Sequence, residues 1–117
     1  MTSTRQRGDA AEKTALSHLR AAGLDLIETN FRSRFGEIDL IMRDGDSLVF
    51  VEVRYRKHST FGGSAASVNR TKQQRLTRTG LIYLQARRIS TPCRFDVVAI
   101  GPDGQLDWLR NAFDATA

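Results

Sequence analysis

The sequence offers no means of covalent cross-linking. Cys93 is its single cysteine, so no internal disulfide can form, and a cysteine-ligated zinc site is excluded by count. That thiol is expected as a small buried hydrophobe beside a strand. No apolar run approaches the length that spans a bilayer, and the start Met1-Thr2-Ser3-Thr4-Arg5 lacks the apolar core of a secretory signal. The expectation is a cytoplasmic protein with no membrane partner. His18 and His58 stand far apart without a partnered nucleophile motif, and no glycine-rich loop precedes a Lys-Ser or Lys-Thr pair. Triad hydrolysis and phosphate-loop nucleotide chemistry therefore fit poorly.

Acid is missing from a long stretch as well. Between Val53 and Phe95 there is no Asp or Glu, while Arg54, Arg56, Lys57, Arg70, Lys72, Arg75, Arg78, Arg87, Arg88 and Arg94 all fall there. A segment so biased attracts a polyanion, and nucleic acid is the obvious one. A basic helix taken alone also fits a merely solvated face, so the argument needs the acids elsewhere in the chain.

What is present is ordinary for a globular fold. The chain has 117 residues, 40% hydrophobic and 26% charged, which predicts one domain over 1–117 with its core at about 8–110. From Arg5 to about Ala22, Ala11, Ala15, Leu16, Leu19 and Ala22 recur at helical spacing and Gly23 follows as a stop. Gly8 and Glu12 lie on the same stripe, so a carboxylate points inward. A first strand is expected over Leu24 to Arg32, a second over Gly36 to Met42 and a third over Ser47 to Tyr55, the last two joined by Asp44-Gly45-Asp46. A loop from His58 to Ser67 then leads to a helix from about Asn69, its N-cap, to Arg88, with Leu76, Tyr83 and Leu84 toward the core. Beyond Ser90-Thr91-Pro92 come a strand over Arg94 to Ile100 and a short one over Leu106 to Leu109, with a frayed tail after Phe113. The order α-β-β-β-α-β-β predicts an α/β (α+β) fold, a mixed sheet of about five strands flanked by two main helices.

Period-two alternation places Val49, Val51 and Val53 on one face of the third strand and Phe50, Glu52 and Arg54 on the other. Glu37, Asp39 and Ile41 share a face of the second strand, and ordinary hairpin register brings Asp39 beside Glu52. Two carboxylates in an apolar strand pair repel unless a cation lies between them. Magnesium, a hard cation that keeps waters, fits Asp39, Glu52, a strand carbonyl and Glu12 as oxygen ligands. Glu37 is expected to pair with Arg32 or Arg34, Asp96 to neutralise Arg94 in a supporting role, and Gln73 and Gln74 to face water.

Gly36-Glu37-Ile38-Asp39-Leu40, Val49-Phe50-Val51-Glu52-Val53-Arg54-Tyr55-Arg56, Lys72 and Arg94-Phe95-Asp96-Val97-Val98 together resemble the YraN-type uncharacterised proteins, from about Gly8 to Ile100. Those proteins are similar in their predicted site to the restriction-endonuclease-like, or PD-(D/E)XK, nuclease superfamily, and especially to archaeal Holliday junction resolvases. The resemblance implies a restriction-endonuclease-like fold and metal-dependent phosphodiester cleavage. Asp39 and Glu52 match the two metal-binding acids, Glu12 matches the first-helix acid, and Arg54 stands where the superfamily has lysine. Arginine is always protonated, so Arg54 can clamp a phosphate but cannot act as a base, and Lys72 is the expected source of the missing ammonium.

The expectation is thus a magnesium- or manganese-dependent endonuclease-like protein with Asp39, Glu52, Arg54 and Lys72 in the chemistry and Asp39, Glu52 and Glu12 at the metal. Arg56, Lys57, Arg70, Arg75 and Arg78 would hold nucleic acid, DNA before RNA, branched or single-stranded, mostly through phosphates. The alternative is a catalytically inactive nucleic-acid-binding module of the same fold; a third reading makes the basic helix a docking face for an acidic protein. The resolvase resemblance also allows a homodimer.

Overall fold

The hairpin of alternating residues around Asp44-Gly45-Asp46 organises the sheet. The computed structural model describes residues 4–56 and 68–114. Its elements run α1 (Thr4–Ala21), β1 (Asp25–Ser33), β2 (Gly36–Asp44), β3 (Ser47–Tyr55), α2 (Arg70–Arg87), β4 (Cys93–Ile100) and β5 (Leu106–Phe113). The expected loop from His58 to Ser67 falls outside the described residues, as does the tail beyond Asp114.

The five strands lie in sequence order across one sheet. β1, β2 and β3 form an antiparallel meander, β4 runs parallel to β3, and β5 returns antiparallel to β4. A parallel neighbour demands a crossover, and α2 supplies it. β3 therefore lies between two helical layers, α1 on one face and α2 on the other, which is why it is apolar on both. Val49 and Val51 pack with Ala11, Ala15 and Leu19 of α1, whereas Phe50 packs with Leu76 and Tyr83 of α2. Among the described residues no helix is long and apolar enough to cross a membrane.

Local chemistry sets the ends of the helices. Gly23 adopts φ 102° and its N–H donates to the Arg20 carbonyl, while that of Leu24 donates to Leu19, closing α1. The helix stops at Ala21, so Ala22, expected on the buried stripe, is exposed. At α2, the Asn69 side chain accepts the Lys72 N–H at 2.8 Å, the expected cap. Midway along, Gly80 lets the helix lie close on the sheet: a Cβ there would stand 3.1 Å from both Phe50 Cε2 and Phe95 Cζ.

The far edge departs from expectation in two ways. β5 continues to Phe113, well past Leu109, because Asn111 turns through φ 51° and donates its N–H to Asp96 Oδ1, after which Phe113 pairs with Phe95. Asp96 has a fully buried side chain and also accepts from Arg94 Nε at 3.0 Å and Trp108 Nε1 at 2.9 Å. Arg94 in turn reaches Asp44 at 2.9 Å, so the expected Arg94–Asp96 pair ties three strands. Cys93 is exposed rather than buried, since it opens β4 at the sheet's rim.

Candidate functional site

The ladder is interrupted where the acids meet. Around Asp39 the β1–β2 ladder pairs Thr29 with Leu40 and Phe31 with Ile38, and the β2–β3 ladder begins only at Leu40 with Val51. Asp39 replaces a ladder bond with its own side chain: Oδ2 accepts the Val53 N–H at 2.8 Å. Asn30, set between Thr29 and Phe31 on β1, has φ 53°, a conformation asparagine tolerates better than most residues. Strict alternation fails here, since Ile38 joins the α2-side core and Leu40 the α1-side core, yet Ile41 returns to the α2 side. Here the Asp39 carboxyl bonds across to Glu52.

Asp39 is driven up from 3.8 to about 8, chiefly by burial, then by the hydrogen bond and the charge of Glu52, against the opposing Val53 N–H. At neutral pH the pair therefore holds a proton. Glu52, 7% exposed on β3, also bonds Lys72 Nζ at 3.0 Å. One proton and one ammonium thus balance the two carboxyls, of which Glu52 is buried and Asp39 half-buried. Lys72 itself is half exposed and comes from the first turn of α2, placed there by the Asn69 cap. A cavity of about 140 Å³ opens beside the contact, lined by Glu52, Arg54, Val68, Asn69 and Lys72.

Glu12 belongs to the same field without joining the pair. Its carboxyl is raised by partial burial, by Glu37 and by Asp9, and is hydrogen-bonded by Asn30. Glu37 pairs with Arg32 at 3.0 Å, as expected. Among the described residues no three His, Cys, Asp or Glu side chains gather closely enough to hold an ion. Asp39 and Glu52 form a two-carboxylate pair with Glu12 bordering it.

The cations divide. Arg54, exposed on β3, lines the cavity with Lys72; Arg70, Arg75 and Arg78 are exposed on α2. Arg56 is turned toward β5 and bonds Asp107 at 3.0 Å, and Lys57 lies outside the described residues. Gln73 donates to the Val68 carbonyl at 2.7 Å, bracing the start of α2. Sequence reasoning passed over Asn30, whose signal was an asparagine in the middle of a strand, a residue type suited to positive φ. It also passed over Phe35, the apolar residue in the β1–β2 turn, which lies under the Arg34 and Arg78 guanidiniums.

Residues 11–100 match the sequence profile of the uncharacterised protein family UPF0102. The chain is 50% identical to the UPF0102 protein of Stutzerimonas stutzeri, covering 98% of this chain and 100% of that one. It is 49% identical to the UPF0102 protein of Nitrosomonas eutropha, over 97% and 98% of the two chains. With that of Pseudomonas entomophila the identity is 52%, over 92% of each.

Proposed function

This chain belongs to the uncharacterised protein family UPF0102, and from its site we propose a divalent-metal-dependent endonuclease-like protein that hydrolyses phosphodiester bonds in DNA, branched or single-stranded. One observation carries the reading: two carboxyls, Asp39 and Glu52, are held against each other in a sheet and are balanced by a proton and the ammonium of Lys72. Structural ion pairs join opposite charges, whereas two acids held together, one of them lining an open cavity, suit a cation.

The donor set fits magnesium or manganese. Both ions favour oxygen ligands, and magnesium commonly takes one or two carboxylates and completes its shell with water and substrate phosphate. Asp39 and Glu52 would hold the ion, with Glu12 at the border of the site. When bound, such an ion lowers the pKa of a ligated water and offsets charge developing on the phosphate.

The chain's own residues do the rest. The Val53 N–H fixes one oxygen of Asp39, so the carboxyl cannot rotate away from Glu52. To serve as a ligand Asp39 would have to lose the proton it holds, and Lys72, now paired with Glu52 beside Arg54, is the ammonium that would meet a phosphate oxygen. Arg54 stays charged throughout and acts as an electrostatic clamp. Arg70, Arg75 and Arg78 would hold the flanking backbone through phosphates, in keeping with an interface that reads little sequence.

Incubation of the protein with branched and single-stranded DNA in magnesium or manganese tests the reading. Cleavage is expected, falling on the order of a hundredfold or more in Asp39→Asn and Glu52→Gln while DNA binding persists. Folded wild-type protein that takes up neither ion in a calorimetric titration would sink it. The second reading, a binding module without turnover, is favoured by the arginine at position 54 and would be recognised by salt-sensitive DNA binding with no metal-dependent cutting.

A further inference from the structure

The turn between β1 and β2 carries Phe35, a half-buried aromatic residue that nothing in the proposed chemistry uses. Two guanidiniums lie over its ring, Arg34 at 4.9 Å and Arg78 at 5.2 Å from the centroid. Both belong to exposed side chains, one on the turn and one on α2. The turn is braced: the Phe35 N–H donates to Ser33 Oγ at 3.0 Å, and that hydroxyl shares a 2.8 Å hydrogen bond with Thr79 Oγ1 of α2. Gly36 lies beside α2, where a Cβ would make ordinary contacts with Arg75 Cβ at 3.6 Å and Thr79 Oγ1 at 3.7 Å.

These contacts align with the acid pair. Lys72, Arg75 and Arg78 recur every three residues on α2, so they form one ridge. Its first member touches Glu52, its second lies against Gly36 and its third covers Phe35. From Lys72 to Arg78 the helix rises about 9 Å, within reach of a nucleotide adjoining one held at the acids. A flat ring gripped by cations at the end of a basic ridge suits an unpaired base: the base stacks on the ring, and the displaced guanidinium moves to its phosphate. Paired bases offer no such face.

We propose that Phe35 is a stacking platform for an unpaired nucleotide next to the reacting phosphate, with Arg34 and Arg78 as its phosphate partners. The proposal rests on the nucleic-acid reading above and narrows its substrate to DNA with a single-stranded segment. Its interaction is with the base, whereas that of Lys72, Arg75 and Arg78 is with the backbone, and the two can be separated.

Anisotropy of a fluorescent single-stranded oligonucleotide, of the same strand made abasic, and of a blunt duplex is measured in EDTA with the full chain. Phe35→Leu is expected to weaken the intact strand roughly tenfold and to leave the abasic strand and the duplex unchanged. Phe35→Trp, which keeps a ring, should bind the intact strand at least as tightly as wild type, and this arm serves if the leucine variant fails to fold. Arg78→Gln should weaken intact and abasic strands alike and lower the salt slope by about one. An intact strand bound equally by wild type and a folded Phe35→Leu, or a loss shared by the abasic strand, overturns the platform alone. Wild type that binds none of the three DNAs overturns both the platform and the nucleic-acid reading.

Discussion

Replacing the ionisable Asp39 of the acid pair by its amide should make the metal-free protein more stable, and the gain should depend on pH. In Asp39→Asn the side chain can still accept the Val53 N–H and offer a donor to Glu52, but it cannot ionise. In wild type the folded carboxyl holds its proton up to about 8, against 3.8 as the ordinary value taken for the unfolded chain. A folded pKa above the unfolded one gives stability that is fully present below 3.8 and is lost as pH rises through about 8. Across that window the slope is about 1.4 kcal/mol per pH unit, amounting to on the order of 5 kcal/mol at its end. Glu12 is shifted in the same direction but titrates in both proteins, so the difference between them isolates Asp39. Urea unfolding in EDTA at pH 4, 6 and 8 should find the two equal at the lowest pH and the variant ahead by several kcal/mol at the highest. Parallel stability profiles would refute the claim that the acids share a proton.

The same chemistry makes cation affinity depend on pH: if Asp39 must release its proton, magnesium or manganese binding weakens about tenfold per unit below pH 8, which calorimetry in buffers of different ionisation enthalpy can check. At the far edge, Asp96→Ala strips Arg94, Trp108 and Asn111 of a common partner and should cost about 3–5 kcal/mol, with Trp108, the sole tryptophan, reporting the change by fluorescence. Gly80→Val forces a branched side chain against Phe50 and Phe95 and should cost at least about 2 kcal/mol in thermal unfolding.

The regular parts of the molecule were open to reading because one residue at a time specifies them. β3 follows alternation from Ser47 to Tyr55, the Asn69 cap fixes the start of α2, and both boundaries fall where the residues predict. The meeting of Asp39 and Glu52 follows from hairpin register, and it occurs, though through a break in the ladder that register alone does not contain. Beside that break, Asn30 takes a positive φ on the neighbouring strand, which strand periodicity does not contain either. β5 outran its expected end for a similar reason, since Asp96, distant in sequence, accepts the Asn111 N–H and carries the strand past a bend. Cys93 is apolar enough to suggest burial, but a strand's first residue can outreach the helices that cover its middle. Phe35 was hidden because a lone aromatic in a turn gains meaning only when another element brings Arg78 over it.

Gly80 gives α2 the character of a ruler. Its contact with Phe50 and Phe95 sets how the helix is rotated on the sheet, and the eight residues back to Lys72 measure out about 12 Å from that anchor to Glu52. One residue inserted between Arg78 and Gly80 would turn Lys72, Arg75 and Arg78 together by about 100° and swing the cationic ridge off the site, leaving the hydrophobic packing beyond Gly80 intact. Length here is as strictly constrained as residue identity: the stretch from Lys72 to Gly80 should tolerate many substitutions on its exposed side and no insertion or deletion at all.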